Sequence, residues 1–284
     1  MNSNQYRKRR ILVTGAAGFV GRQIVNHLIS RGIWVRAVIR KGQEKVFSSQ
    51  SIQSIISSSD LFSEDSMWWR NAFDGIDTVI HTAWYTEPDK YLQSINNLDC
   101  LIATINIAKW SVKSGVKKFV GIGTCFEYDL SYNPLTVETP LRPQSLYAAS
   151  KVATFMTLSQ LFNAERVQFS WCRLFYLYGE GEDDKRLIPY IHKKLANSEP
   201  VHLTKGDQIR DFINVHEAGR LIAETSLNSS IGPVNICSGI PITVREIAEK
   251  IADNYGRRDL LKFGARPENY TDPPCVVGSA NFFD

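Results

Sequence analysis

Three glycines spaced three apart, Gly15, Gly18 and Gly21, lie between an apolar β-branched run and an amphipathic stretch, and they constrain the fold more than any other feature. Ile11-Leu12-Val13-Thr14 reads as a buried strand. After the glycines, Ile24, Val25, Leu28 and Ile29 share one helical face, and Gly32 closes that helix. Strand, glycine turn and helix in this order let the backbone approach a pyrophosphate closely. The helix start supplies free N–H groups and the positive end of its dipole. The spacing is GxxGxxG, and Gly15, Gly18, Phe19, Val20 and Gly21 become candidate dinucleotide contacts.

The pattern repeats. Residues 34–39, 77–81, 118–123 and 169–174 read as further strands, and residues 98–114 and 147–162 as helices. The serine-rich stretch 47–59, with Ile52, Ile55 and Ile56, reads as a helix or loop. Strands alternating with helices predict an α/β fold, a Rossmann-type doubly wound parallel sheet. It is expected over residues 1–178, with a later strand near 233–237 returning to it. Beyond Tyr178 the alternation fades into segments rich in Pro, Gly and charge, which predicts a smaller C-terminal substrate lobe over residues 179–284.

Composition narrows the class without naming an activity. With 43% hydrophobic and 22% charged residues, the 284-residue chain has the balance of a globular protein rather than a disordered or fibrous one. The net charge of +4 is modest. Arg7-Lys8-Arg9-Arg10 is read as a solvated basic tail rather than a nucleic-acid arm, because no aromatic or basic patch extends it. Cys100, Cys125, Cys172, Cys237 and Cys275 are dispersed and show no metal-site spacing, so reduced thiols and no metal are expected. No apolar run approaches the ~20 residues of a membrane helix, and no signal peptide is evident. A cytoplasmic protein without a membrane or nucleic-acid partner is the expectation.

The second strand ends Val38-Ile39-Arg40-Lys41, with no acid to bond ribose hydroxyls and with Arg40 able to pair with a 2′-phosphate. NADP is favoured over NAD. Asp60 and Leu61 are placed to meet the adenine, although a helix cap would also account for Asp60.

Tyr147 and Lys151 lie one helical turn apart on one face. A phenol with an ordinary pKa of about 10 is a poor acid–base near neutrality, and an adjacent cation is expected to lower that value. A second copy of the spacing, Tyr190 and Lys194, lies in the irregular second half and reads as a surface helix face. Position singles out Tyr147, which follows Thr124 at the end of a strand.

The order of these motifs resembles the extended short-chain dehydrogenase/reductase family, which holds NAD-dependent epimerases and dehydratases. The residues carrying the resemblance are Thr14 through Gly21, His81-Thr82-Ala83, Asn97, Thr124, Tyr147 and Lys151. Arg173-Leu174-Phe175-Tyr176-Leu177-Tyr178-Gly179 and Arg210-Asp211-Phe212-Ile213-Asn214-Val215 complete the set. The resemblance implies catalysis by Thr124, Tyr147 and Lys151, and cofactor contacts at Thr82, Ala83 and Asn97. It also implies a nucleotide-sugar substrate whose diphosphate is gripped by Arg210 and Arg266, with a surface charge as the other reading of Arg266. Family members are commonly homodimers joined by two helices, here residues 98–114 and 147–162. Ending at Asn281-Phe282-Phe283-Asp284, the chain is somewhat shorter than such members usually run.

The residues after Thr124 discriminate among reactions. Where 4,6-dehydratases of the family carry Asp-Glu, this chain has Cys125 and Phe126, and Glu127 falls one register late, which turns its side chain to the opposite side. Epimerase-reductases with a cysteine two positions after the catalytic hydroxyl do not match either, since Phe126 stands there. What remains is a simple ketoreductase, and Gly123 through Tyr128 together with Leu174 through Gly179 is similar to reductases of nucleoside-diphosphate 4-keto-6-deoxyhexoses; the resemblance implies reduction of such a sugar, dTDP- or CDP-linked, with Cys125 and Phe126 at the substrate. Tyr176, replacing an asparagine common in the family, is read either as a substrate contact or as aromatic packing. Trp84 and Tyr85 follow the fourth strand, where they either shape the sugar pocket or pack in the core. A 4-epimerase with tightly held NAD and a non-catalytic cofactor-binding sensor are the alternatives.

Overall fold

A computed structural model of the chain describes residues 9–47, 52–269 and 272–281. The elements relevant to the cleft run β1 (Arg10–Thr14), α1 (Phe19–Ser30), β2 (Trp34–Arg40), β3 (Ser54–Ser58), α2 (Ser66–Ala72), β4 (Thr78–His81), α3 (Asn96–Lys113) and β5 (Lys118–Thr124). They continue with α4 (Leu146–Ala164), β6 (Gln168–Leu174), β7 (Tyr176–Tyr178), α5 (Leu187–Ala196), β8 (Val201–His202), β9 (Ile209–Asn214) and α6 (Val215–Leu227). The last are β10 (Gly232–Ile236), β11 (Pro241–Thr243), α7 (Val244–Asp253), β12 (Leu261–Lys262) and β13 (Cys275–Val276).

Seven strands form one sheet in the order β10-β6-β5-β4-β1-β2-β3, every pair parallel. A parallel sheet is covered on both faces, so its strands are apolar throughout. In β1, Ile11 and Val13 enter the core beneath α1 and α6, while Leu12 enters the opposite core beneath α2, α3 and α4. The strand order reverses between β1 and β4, the switch point at which such sheets open a ligand crevice beyond their carboxyl ends.

The serine-rich stretch corrects the expectation of a helix or loop: Ser54–Ser58 is the edge strand β3, paired with β2. Its side chains alternate between half-buried and exposed, the period of a strand covered on one face. Residues 48–51 of that stretch lie outside the described residues, as do Arg7, Lys8 and 282–284. The rest of the basic run is not a solvated tail. Arg9 donates to the Leu227 carbonyl at 2.8 Å, at the end of α6, and Arg10 opens β1 with its guanidinium over Trp34.

The lobe is a small sheet around β9, flanked by β7, β11 and β13, with α5 and α7 packed on a separate core. The chain returns through α6, which packs along α1, and β10, which pairs with β6. Gly219 permits that contact: a Cβ there would stand 2.6 Å from the Cβ of Gln23.

Candidate active site

The glycine turn closes tightly. Gly15 has φ +62°, and a Cβ on it would meet the Thr82 hydroxyl at 2.7 Å, while one on Gly21 would meet the Gly15 carbonyl oxygen at 2.2 Å. Gly18 caps α1 without any side-chain hydrogen bond, which leaves the first N–H groups of the helix available to an anion. A buried polar chain holds the β1 and β4 ends together: Thr14 Oγ1 pairs with His81 Nδ1 at 2.8 Å, and His81 Nε2 with Thr104 Oγ1 at 3.0 Å. Burial, with the Lys151 charge nearby, lowers His81 to about 3, so its ring is neutral. Thr82 Oγ1 adds a hydrogen bond to the Thr14 carbonyl at 2.6 Å.

This turn forms one end of a cleft of about 1460 Å³, more than one drug-sized ligand needs. Gly15, Gly18, Phe19, Val20 and Gly21 line it together with Arg40, Asp60, Leu61, Thr82 and Ala83. Turn, bare helix start and crevice suit a dinucleotide. Asp60 does not cap a helix; its carboxylate accepts the Phe62 N–H in a turn, and Asp65 caps α2.

Toward the other end, Thr124, Cys125, Phe126, Tyr147, Lys151, Tyr176 and Arg210 line the same space. Thr124 closes β5, and its hydroxyl accepts the Phe126 N–H at 3.3 Å. Ser145 caps α4, so Tyr147 lies in the first turn and Lys151 one turn later. The Thr124 hydroxyl lies close enough to the Tyr147 phenol to oppose, weakly, the rise that burial imposes on it. Lys151 Nζ donates to the Ile122 carbonyl at 2.7 Å and sits 3.6 Å from the Trp84 ring centroid.

The electrostatics reverse one expectation. Burial, reinforced by Tyr91 and Glu127, pushes the Tyr147 phenol well above its ordinary value rather than below it. Burial also lowers Lys151 to about 7. Loss of water penalises the charged form of each group, raising the phenol and lowering the ammonium together. Tyr147 is therefore a neutral phenol, a proton donor. Cys125 is pushed up to about 12 by burial, so the thiol stays protonated and is no thiolate nucleophile.

Glu127 turns away from the cleft, but not by strand register: residues 125–127 form a single 3-10 turn capped by Thr124, and Glu127 closes a capping box by folding its carboxylate back onto the Thr124 N–H. Its side chain is fully buried and its Oε2 pairs with Arg173 Nε at 2.7 Å. Glu127 Oε1 accepts the Thr124 N–H at 2.8 Å and the Trp171 indole N–H at 3.0 Å. Arg173 in turn donates to the Tyr128 hydroxyl at 3.0 Å. Gly123 makes the approach possible, since a Cβ there would collide with Trp171 Nε1 at 2.3 Å and Glu127 Oε1 at 2.4 Å.

Two site residues suggested by the motifs are not brought to the cleft. Asn97 is fully buried and does not line it; its amide donates to the Tyr91 and Ser94 carbonyls and accepts from the Trp84 indole at 2.9 Å, a structural clamp. Arg266 is exposed outside the cleft and stacks over Tyr190 at 4.5 Å. Tyr190 itself packs on the lobe core, and Lys194 pairs with Glu199. Arg210 is brought in: it is buried, pairs with Asp272 at 2.7 Å and lies over Tyr176. The Tyr176 hydroxyl is shut from solvent with no hydrogen-bond partner among the described residues.

Sequence reasoning missed Tyr91 and Glu182. Tyr91 sets its ring edge-on to Tyr147 at 4.8 Å, beneath Arg186. Glu182 lines the cleft with burial raising its carboxyl to about 7. Tyr91 opens a one-turn 3-10 helix and Glu182 lies in a turn, elements too short for any spacing to mark them.

Residues 11–236 match the model of the NAD dependent epimerase/dehydratase family. The chain belongs to that family. Among its curated relatives, the dTDP-6-deoxy-L-talose 4-dehydrogenase (NAD(+)) of Aggregatibacter actinomycetemcomitans is 22% identical over 276 residues, covering 95% of this chain and 99% of the relative. The dTDP-4-dehydro-6-deoxyglucose reductase of Escherichia coli is 24% identical over 284 residues, covering 90% and 85%. In structure, the UDP-glucose 4-epimerase of Thermus thermophilus in complex with NAD superposes with a TM-score of 0.82 at 22% identity, covering 95% of this chain and 90% of the other. The family places the protein among nicotinamide-dependent enzymes, and the Rossmann-type sheet is theirs.

Proposed function

We infer that the protein reduces the keto group of a nucleoside-diphosphate 4-keto-6-deoxyhexose, dTDP- or CDP-linked, with NADPH as reductant. The observation that carries this reading is the convergence of Thr124, a neutral Tyr147 phenol and Lys151 in the cleft that begins at the glycine turn. The relatives named as a dTDP-sugar 4-dehydrogenase and a dTDP-4-dehydro-6-deoxyglucose reductase support chemistry at C4 of such a sugar. Dehydration lacks its carboxylates: Cys125 and Phe126 face the cleft, and Glu127 is engaged by Arg173.

When bound, a nicotinamide dinucleotide supplies the hydride. The chain does the rest. Thr124 and Tyr147 direct their hydroxyls at the carbonyl oxygen, and Tyr147 gives its proton to the forming alkoxide. Lys151, as the ammonium, stabilises the phenolate left behind. Arg210 offers its guanidinium to the diphosphate. Arg40, at the end of β2 and lining the cleft, supports NADP. NAD is the second reading for the cofactor, because both the talose dehydrogenase and the Thermus complex carry NAD in their names. Exposed Ile95, Leu98 and Ile102 at and along α3, with Met156 on α4, support a homodimer through these two helices.

The test is NADPH consumption with dTDP- and CDP-4-keto-6-deoxyhexoses, followed by NMR of the product. Tyr147→Phe should lose at least about 100-fold in turnover while still binding cofactor. Wild-type rates in that variant would overturn the mechanism. Interconversion of hydroxylated sugars without net NADPH consumption would establish the 4-epimerase instead.

A further inference from the structure

Lys151 is an unusual cation for so buried a position. Its side chain is 3% exposed, and its ammonium donates to a neutral carbonyl, that of Ile122. The titratable groups facing it come from four elements: Tyr147 one turn back on α4, Cys100 on α3, His81 at the end of β4, and Glu127 in the turn after β5. Burial keeps the His81 ring neutral and raises Cys100 and Tyr147, so these three carry no negative charge. The Glu127 carboxylate is held by Arg173.

What does meet the ammonium is an aromatic face. The Trp84 ring centroid lies 3.6 Å from Lys151 Nζ, well inside the ~6 Å within which an indole attracts a cation. The ring is not free to drift, since its Nε1–H donates to buried Asn97 at 2.9 Å. We propose that Trp84 is a positioning residue: its indole face, anchored by Asn97, holds the Lys151 ammonium in the cleft where a carboxylate counter-ion would otherwise be required. Tryptophan is the strongest aromatic cation acceptor, and desolvation strengthens the contact. Since burial brings Lys151 to about 7, a contact that changes the ammonium-to-amine ratio by about tenfold decides whether the cation persists at neutral pH.

The consequence for turnover rests on the reductase reading, but the ionisation itself does not. The experiment is an NMR titration of nucleotide-free, full-length protein carrying isotope-labelled lysine, with the Lys151 signal assigned by its loss in Lys151→Met. Trp84→Leu should lower the Lys151 midpoint by about one pH unit, a tenfold change in the ammonium-to-amine ratio. Trp84→Phe, which keeps a ring face, should fall by less. A multiply fluorinated tryptophan at position 84, which keeps the shape and the Asn97 bond but weakens the ring face, should also lower it, and this decides the matter if the leucine variant folds poorly. Midpoints unchanged with the fluorinated ring would overturn the proposal. If reductase turnover is measurable, the alkaline limb of its pH profile should move down by the same amount in Trp84→Leu. A wild-type protein that reduces no 4-keto sugar would defeat the functional reading and leave the titration result standing.

Discussion

Replacing Glu127 with glutamine tests how far the catalytic threonine depends on a side chain outside the cleft. The carboxylate accepts from three donors: Thr124 N on Oε1, Arg173 Nε on Oε2, and the Trp171 Nε1–H shared between both oxygens. An amide has only one oxygen. If its oxygen faces Thr124, its NH2 confronts the Arg173 N–H; if it faces Arg173, the NH2 confronts the Thr124 N–H. Either orientation sets donor against donor in a site where Glu127 and Arg173 are 0% and 1% exposed. Breaking a buried pair from one side costs about 3–5 kcal/mol. At about 2–4 °C per kcal/mol for a chain approaching this size, the melting temperature of Glu127→Gln should fall by roughly 10 °C. Urea unfolding gives the free energy directly. A loss below about 1 kcal/mol would refute the assignment, because it would put the pair in the range of exposed ones. The double variant Glu127→Leu with Arg173→Leu should recover only the ionic part of the loss, since an apolar pair can replace the ions but leaves the buried Thr124 and Trp171 N–H groups without an acceptor. It should not recover kcat, because Thr124 N still lacks its acceptor.

Three further expectations follow from side chains already described. Burial depresses Lys151 from 10.5 to about 7, so between those pH values the unfolded chain binds more protons and stability rises with pH; below 7 the folded state bears the full cost of the buried ammonium. Lys151→Met should therefore be inactive yet more stable at pH 6–7, by up to roughly 4 kcal/mol, with the difference fading toward pH 10; equal or lower stability at pH 6 would contradict this. Asn97→Ala should lose about 1–3 kcal/mol in urea denaturation, chiefly by leaving the Trp84 indole N–H without its acceptor, and a wild-type midpoint would refute the clamp. Arg40→Asp should weaken NADPH at least about tenfold while leaving NADH unharmed, and equal losses by calorimetry would remove Arg40 from cofactor choice.

The first strand, glycine turn and helix were legible because backbone geometry, not context, demands those residues. Tyr147 was legible because its order after Thr124 separated it from Tyr190. Strand β3 was not: serines at 54, 57 and 58 leave only Ile55 and Ile56 to signal a strand, and the pairing with β2 supplies what side chains do not. Helix α2 was missed for a related reason, since Trp68 and Trp69 form a compact edge-on pair within a short helix rather than an extended apolar stripe. Asn97 and Arg266 stand off the cleft although their motifs pointed to it, because a motif gives position along the chain but not the direction of a side chain. The sign of the Tyr147 shift escaped for a deeper reason. Spacing revealed a neighbouring cation, whereas the shift depends on how much water both groups lose, a property of the assembled cleft.

The return of α6 and β10 to the large sheet has a practical consequence. A fragment ending at 178 would lack both the helix that packs along α1 and the strand that pairs with β6. It would leave Ile24 and its neighbours bare, and β6 as a raw sheet edge. Arg210 is also separated by only four residues from the start of a helix whose Gly219 touches the cofactor helix backbone. The lobe is thus an excursion within the larger unit rather than an appendage. Grafting a different sugar specificity onto this protein would have to exchange residues 179–214 together with the later segments that carry β11, α7, β12 and β13, keeping 215–236 with the sheet they complete.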